Sequence, residues 1–160
     1  MIKRLGSGYF AITIEISRPK YATREVLKTS EEGNYEIIKQ QTEPPATEWI
    51  CYSYVSEGKE KAFVRGYFVS KERFHIQRIK NIIKDRRSGY KGIPKILKAI
   101  DEDLKPQGVR FVTTAAIFKL APIAMKRYGF SAVDGQTPEA LKKSWLRWIP
   151  WLCKPLKKEL

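Results

Sequence analysis

Hydrophobic and polar positions divide the chain into short strands followed by strand–helix–strand units. Residues 9–17 (Y-F-A-I-T-I-E-I-S) alternate as a half-buried strand does, and Arg18-Pro19 ends the run. Residues 22–30 read as a short helix, Glu32-Gly33-Asn34 as a turn and residues 35–39 as a second short strand. Beyond the break at Thr42-Glu43-Pro44-Pro45, residues 49–55 and 62–69 are β-rich runs around Ser56-Glu57-Gly58-Lys59, the pattern of a hairpin. Residues 74–83 (F-H-I-Q-R-I-K-N-I-I) then predict a strand. Ile93, Ile96, Leu97, Ile100 and Leu104 recur at helical spacing, so a helix opens near Gly92 or Ile93. Pro94 falls in its first turn, where a missing N–H costs nothing. Pro106-Gln107-Gly108 turns the chain into a buried strand over 109–117. A short helix over about 121–128 stops at Gly129, a residue suited to a left-handed cap. Thr137 caps a further helix with Pro138 at its first position, and Ala140, Leu141, Trp145, Trp148 and Ile149 share one face until Pro150. Residues 145–148 read equally well as a strand.

The stretch K-D-R-R-S-G-Y-K-G, residues 84–92, joins the strand over 74–83 to the helix. A helix start carries free N–H groups and a partial positive charge, which together suit an anion. Lys91 and Lys95 stand near this start while Asp101, Glu102 and Asp103 gather near the end. Helix stability alone chooses the opposite order. A phosphate or pyrophosphate in the loop would offset the clash; a solvated basic turn is the other reading of the same residues.

Charge sharpens this picture. The net charge is +14, and residues 71–98 alone hold ten basic and two acidic side chains. Residues 142–160 hold six basic and one acidic, whereas 1–70 and 99–141 are nearly balanced. Concentrated positive charge points to a polyanionic ligand or partner, such as tRNA or DNA. The 160 residues suit a single domain spanning 1–160, with no repeat or linker, and no apolar run approaches bilayer length. No secretory leader is expected from the first residues, and a cytoplasmic setting follows as the expectation. Cys51 and Cys153 are too few for a disulfide framework or a metal cluster. His75 is the single histidine, which argues against a zinc site or a Ser–His–Asp arrangement.

The order hairpin, strand, basic glycine loop, helix, strand, short helix and Gly-Phe resembles the GCN5-related N-acetyltransferases over about residues 49–131. Gly89-Tyr90-Lys91-Gly92-Ile93-Pro94 falls on that family's [QR]-x-x-G-x-[GA] motif, and Met125-Lys126-Arg127-Tyr128-Gly129-Phe130 on its Tyr-x-x-x-Gly-Phe ending. The resemblance implies an α/β fold with a central mixed, mostly antiparallel sheet, flanking helices and a splayed parallel strand pair. It implies acetyl-CoA or another acyl-CoA as cofactor. Ile82, Ile83 and Lys84 would offer backbone groups to the pantetheine arm; Arg86, Arg87, Ser88, Gly89, Tyr90, Lys91, Gly92 and Ile93 would hold the pyrophosphate. Three positions depart from the pattern. Gly89 stands at the usual Arg or Gln, Pro94 replaces a small residue and removes an N–H, and Met125 stands at a tyrosine that protonates the leaving thiolate. Methionine has no proton to give.

Individual residues carry two readings each. His75 could take a proton from an attacking amine, since its pKa lies near neutrality, or serve as a structural histidine. Tyr128 could act as a displaced general acid or pack at the helix end. Glu48 and Glu57 are further carboxylates with nothing to single them out. The segment 137–160 places W145-L-R-W-I-P-W151 before Lys154, Lys157 and Lys158. That mixture suits nucleic-acid stacking, a membrane interface, or tryptophans packed on the sheet edge with the lysines in water. Two function classes follow: an acyl-CoA-dependent N-acyltransferase acting on an anionic or nucleic-acid-borne amine, and an inactive module of the same fold that binds nucleic acid.

Overall fold

The computed structural model describes residues 2–5, 9–12, 21–42, 48–82 and 89–160. Strands β1 (Ile2–Leu5) and β2 (Tyr9–Ile12) pair antiparallel as a separate ribbon. The remainder of the first predicted strand, residues 13–17, lies outside the described residues. Eight further strands among the described residues form one sheet: β3 (Tyr21–Thr29), β4 (Tyr35–Thr42), β5 (Ile50–Ser56), β6 (Lys59–Ser70), β7 (Arg73–Asn81), β8 (Phe111–Ile117), β9 (Ser131–Ala132) and β10 (Cys153–Glu159). Their order is β3-β4-β5-β6-β7-β8-β10-β9. Every pairing is antiparallel except β7 with β8, which is parallel and registers Arg73 with Phe111 through Ile76 with Thr114. This is the mixed, mostly antiparallel sheet with one parallel pair that the family resemblance implies.

The hairpin forms as read. Ser56 pairs with Lys59 across Glu57-Gly58, whose φ values of 55° and 69° are those of a two-residue turn matched to strand twist. Between β7 and β8 runs α1 (Gly89–Leu104). Its Ile93, Ile96, Leu97, Ile100 and Leu104 are at most 6% exposed and join Tyr52, Val64, Phe74 and Ile76 in the core. Two shorter helices follow, α2 (Ala121–Tyr128), with Gly129 as its left-handed cap, and α3 (Pro138–Lys143), where the Thr137 hydroxyl accepts the Ala140 N–H at 3.2 Å.

Four expectations need correction. Residues 22–30 are not a helix: they lie in β3, an edge strand mostly exposed on both faces, which shows no apolar period and is set by pairing with β4. The helix after the basic loop opens at Gly89, so Pro94 sits inside it, without the N–H that would reach the carbonyl of residue 90. The helix starting at Pro138 does not run to Ile149. Extended Ser144 breaks it, its hydroxyl accepts the Leu146 N–H at 3.3 Å, and Trp145–Trp148 form a 3-10 turn, not a strand. Finally, β10 was not expected at all. Its lysines and Pro155 mask the pattern, yet Lys154 and Leu156 point inward while the strand inserts between β8 and β9.

No helix among the described residues is long and apolar enough to cross a membrane.

Candidate functional site

The sheet forks between β7 and β8. Both strands continue past their last shared pair, Ile76 with Thr114: β7 stays bonded to β6 as far as Asn81, and β8 to β10 as far as Ile117. Held by different outer neighbours, the two strands separate, and residues 77–81 are exposed although β7 lies in the middle of the sheet. The Thr114 hydroxyl donates to the Ile76 carbonyl at 3.1 Å, closing the pair where the gap begins. The gap therefore opens after Ile76.

Strand alternation decides which backbone groups face the gap. The Ile82 N–H donates to the Lys61 carbonyl of β6 at 2.9 Å, so it is committed away from the gap. The residues that alternate with it, Ile79 and Asn81, turn their N–H and C=O toward the edge that β8 has left. Sequence reading chose Ile82 and missed these two; only the β6–β7 register distinguishes them. Ile83, Lys84, Arg86, Arg87 and Ser88 lie outside the described residues.

At the α1 start, Gly89, Tyr90 and Lys91 are in the first turn, where backbone N–H groups lack intrahelical partners. Gly92 and Ile93 are buried, and a Cβ on Gly92 would stand 3.0 Å from the Tyr54 ring. Lys91 is exposed. Lys95 is not free for an anion, because its ammonium lies 4.0 Å from the Tyr35 ring centroid and 5.7 Å from that of Tyr54. The acidic end of the helix is paired too: Asp101 with Lys158 at 2.7 Å, Asp103 with Lys39 at 2.7 Å and with the Tyr52 hydroxyl at 2.7 Å. Of the charges whose inverted order suggested an anion, Lys95, Asp101 and Asp103 are thus engaged by the sheet, while Lys91 stays exposed at the helix start.

His75 sits one residue before the fork, on the sheet face opposite α1. Its Nδ1 is 3.0 Å from the Thr113 Oγ1 across the β7–β8 pair, and its ring is 5.4 Å from that of Tyr67. Partial burial lowers its pKa from the ordinary 6.5, favouring the neutral imidazole. In the tautomer whose Nδ1–H donates to Thr113, Nε2 keeps a lone pair; in the other, the Thr113 hydroxyl donates to Nδ1 and Nε2 carries the proton. A row of side chains continues across the same face: Tyr67 meets Trp49 edge-on at 5.4 Å, and the Arg65 guanidinium stacks 4.9 Å from Trp49 while holding the Gln77 side-chain oxygen at 3.1 Å. Trp49, Arg65 and Tyr67 carried no motif in the sequence; cross-strand register unites them.

Tyr128 and Met125 share a face of α2, both half-buried against the core. Glu57 occupies the β5–β6 turn and Glu48 precedes β5, both exposed. Lys154 and Lys158 are not in open water: Lys154 is buried and pairs with Asp134, and Lys158 pairs with Asp101. No group of His, Cys, Asp and Glu among the described residues could hold a metal ion.

No protein-family model matches the chain, and no curated protein matches it. Solved structures do. A GNAT family acetyltransferase from Elizabethkingia anophelis with acetyl-CoA bound is 16% identical with a TM-score of 0.52, covering 70% of this chain and 76% of its own. Ard1 from Thermoplasma volcanium is 16% identical with a TM-score of 0.50, covering 69% and 70%. The PaiA N-acetyltransferase from Thermoplasma acidophilum, in complex with coenzyme A, is 9% identical with a TM-score of 0.50, and this chain spans 61% of its length. At such identities the likeness is one of fold.

Proposed function

Because the chain has the fold of the GCN5-related N-acetyltransferases, we propose that it is an acyl-CoA-dependent N-acyltransferase whose acceptor is an amine on an anionic molecule, a nucleic-acid-borne amine included. The observation that supports this reading most is the fork, with backbone donors and acceptors of Ile79 and Asn81 left along its β7 edge. An extended pantetheine arm can add to such an edge by strand-like hydrogen bonds. Acyl-CoA would supply a thioester carbon activated toward an amine: the N–C bond forms, the C–S bond breaks, and the amine proton must leave.

The chain's residues divide that work. As the resemblance implies, Arg86, Arg87 and Ser88, with Gly89, Tyr90 and Lys91 at the start of α1, take the pyrophosphate; Gly92 and Ile93 set the helix against the core. His75, neutral and anchored through Thr113, accepts the proton shed by the attacking amine at Nε2. Tyr128 donates to the leaving sulfur in place of the tyrosine that Met125 replaces. The exposed Arg78 and Lys80 on β7 favour an anionic acceptor.

Calorimetric titration with acetyl-CoA and CoA tests the reading. Heat of binding is expected, followed by transfer to an amine acceptor that His75→Asn slows. Absence of any signal with acetyl-CoA, CoA and longer acyl-CoAs would overturn it. Met125 favours a second reading, in which the scaffold binds acyl-CoA or nucleic acid without turnover; binding heat with no product from any amine would select it.

A further inference from the structure

The strongest exposed feature lies away from the fork, where the segment 145–151 meets the start of α2. Trp145, Trp148 and Trp151 are 71%, 70% and 79% exposed, so they do not pack on the sheet edge. In a 3-10 turn, residues three apart eclipse, which puts Trp145 and Trp148 on one side. The Phe118 N–H donates to the Leu152 carbonyl at 3.0 Å and fastens the end of this segment beside α2. A groove of about 240 Å³ between them is lined by Phe118, Pro122, Leu141 and Trp148 together with Lys119, Lys142 and Arg147. Leu120 and Ile123, flanking Pro122, are 50% and 43% exposed. Large apolar side chains exposed close together in the sequence, beside a groove and rimmed by polar residues, mark an interaction surface.

The rim is positive, its exposed cations outnumbering the carboxylates beside them even though Glu139 faces Lys142 as well as Lys126. Lys119, Lys142, Lys143 and Arg147 are exposed. The carboxylates nearby are engaged, Glu139 with Lys126 at 3.1 Å and Asp134 with Lys154.

We propose that this edge is a docking surface for an anionic lipid bilayer, with the tryptophans at headgroup depth, Leu120 and Ile123 beside them, and the basic rim on the lipid phosphates. Tryptophan suits that depth because its ring is apolar and its N–H stays near water. Single-stranded nucleic acid is the weaker fit. Arg147 already stacks 4.6 Å from the centre of Trp148 and takes one of its faces from a base, and exposed aliphatic side chains gain little from stacking. The surface stands independently of the acyl-transfer reading.

Cosedimentation of the full chain with phosphatidylcholine vesicles, with and without added phosphatidylglycerol, tests the proposal. Binding is expected only with phosphatidylglycerol, with a blue shift of tryptophan emission, and it weakens as salt screens the charges. Trp145→Ser/Trp148→Ser/Trp151→Ser should reduce vesicle binding by about tenfold or more. Lys142→Glu/Lys143→Glu, which keeps the tryptophans, should abolish the preference for phosphatidylglycerol and serves if the first variant folds poorly. No binding to phosphatidylglycerol vesicles at low salt would overturn the proposal. So would unchanged binding by the folded variants, or quenching by a single-stranded oligonucleotide in a protein that ignores vesicles.

Discussion

The Tyr54 ring lies so close to Gly92 that a Cβ there would stand 3.0 Å from two of its carbons. Tyr54 cannot readily yield, since it is 9% exposed, stacks on Tyr35 at 5.1 Å between ring centroids and has Lys95 above it. The second glycine of the basic loop is therefore a packing residue that seats α1 on β5.

Gly92→Ala should lower stability by up to about 2 kcal/mol. Overpacking costs about 1–3 kcal/mol, from which the ~1 kcal/mol that alanine gains over glycine in a helix is subtracted. Combined with Tyr54→Leu, the change should be far milder than in the wild-type background. Urea unfolding of the four proteins checks this; a stabilising Gly92→Ala would show that the ring has room to move.

Asp103 clamps α1 to the sheet through Lys39 and Tyr52, and its own side chain is 16% exposed. Asp103→Ala should cost about 2–4 kcal/mol, because the nearly buried ammonium and phenol lose their common acceptor. Tyr52→Phe removes only one hydrogen bond and should cost about 1 kcal/mol. Burial, with Asp103 beside it, holds the Tyr52 phenol protonated far above its usual range, so its loss should not depend on pH below 10. Thermal unfolding at two pH values separates the effects.

The single histidine sets a pH window. Burial lowers the folded-state pKa of His75 below 6.5, so the unfolded chain takes up the proton first as pH falls. The stability it contributes is complete above 6.5 and is lost as pH falls through the lower folded value. His75→Asn should flatten that part of the stability curve. In an acyl-transfer assay, kcat/KM should rise with pH to a plateau with a midpoint below 6.5, and Thr113→Val, by releasing Nδ1, should move that midpoint.

The two thiols should differ in reactivity. Cys51 is buried, and desolvation pushes its thiol pKa up, whereas Cys153 is exposed at the start of β10. Iodoacetamide should modify Cys153 in the native protein and reach Cys51 only on unfolding. Mass spectrometry of the labelled peptides reads this directly.

Local pattern was enough for the hairpin at Glu57-Gly58, the helical face from Ile93 to Leu104, α2 with its Gly129 cap and the Thr137 cap of α3. In each of these, backbone preference and hydrophobic period agree within a few residues of sequence. The parallel β7–β8 pair also followed, because a strand–helix–strand order leaves little choice of topology. What the sequence could not decide were effects that depend on partners distant along the chain. Residues 22–30 became an edge strand because β4 offered a ladder. Residues 153–159 entered the sheet because β8 had an open edge and lysine stems could cover apolar surface. The reversed charges of α1 looked like a call for a bound anion until Tyr35, Lys39 and Lys158 were brought against Lys95, Asp103 and Asp101. The edge facing the gap was likewise settled by the β6–β7 register, which gave Ile82 to Lys61 and left Ile79 and Asn81. Charge and hydrogen bonding act over a few ångströms in space, so their partners became visible only when the chain was folded.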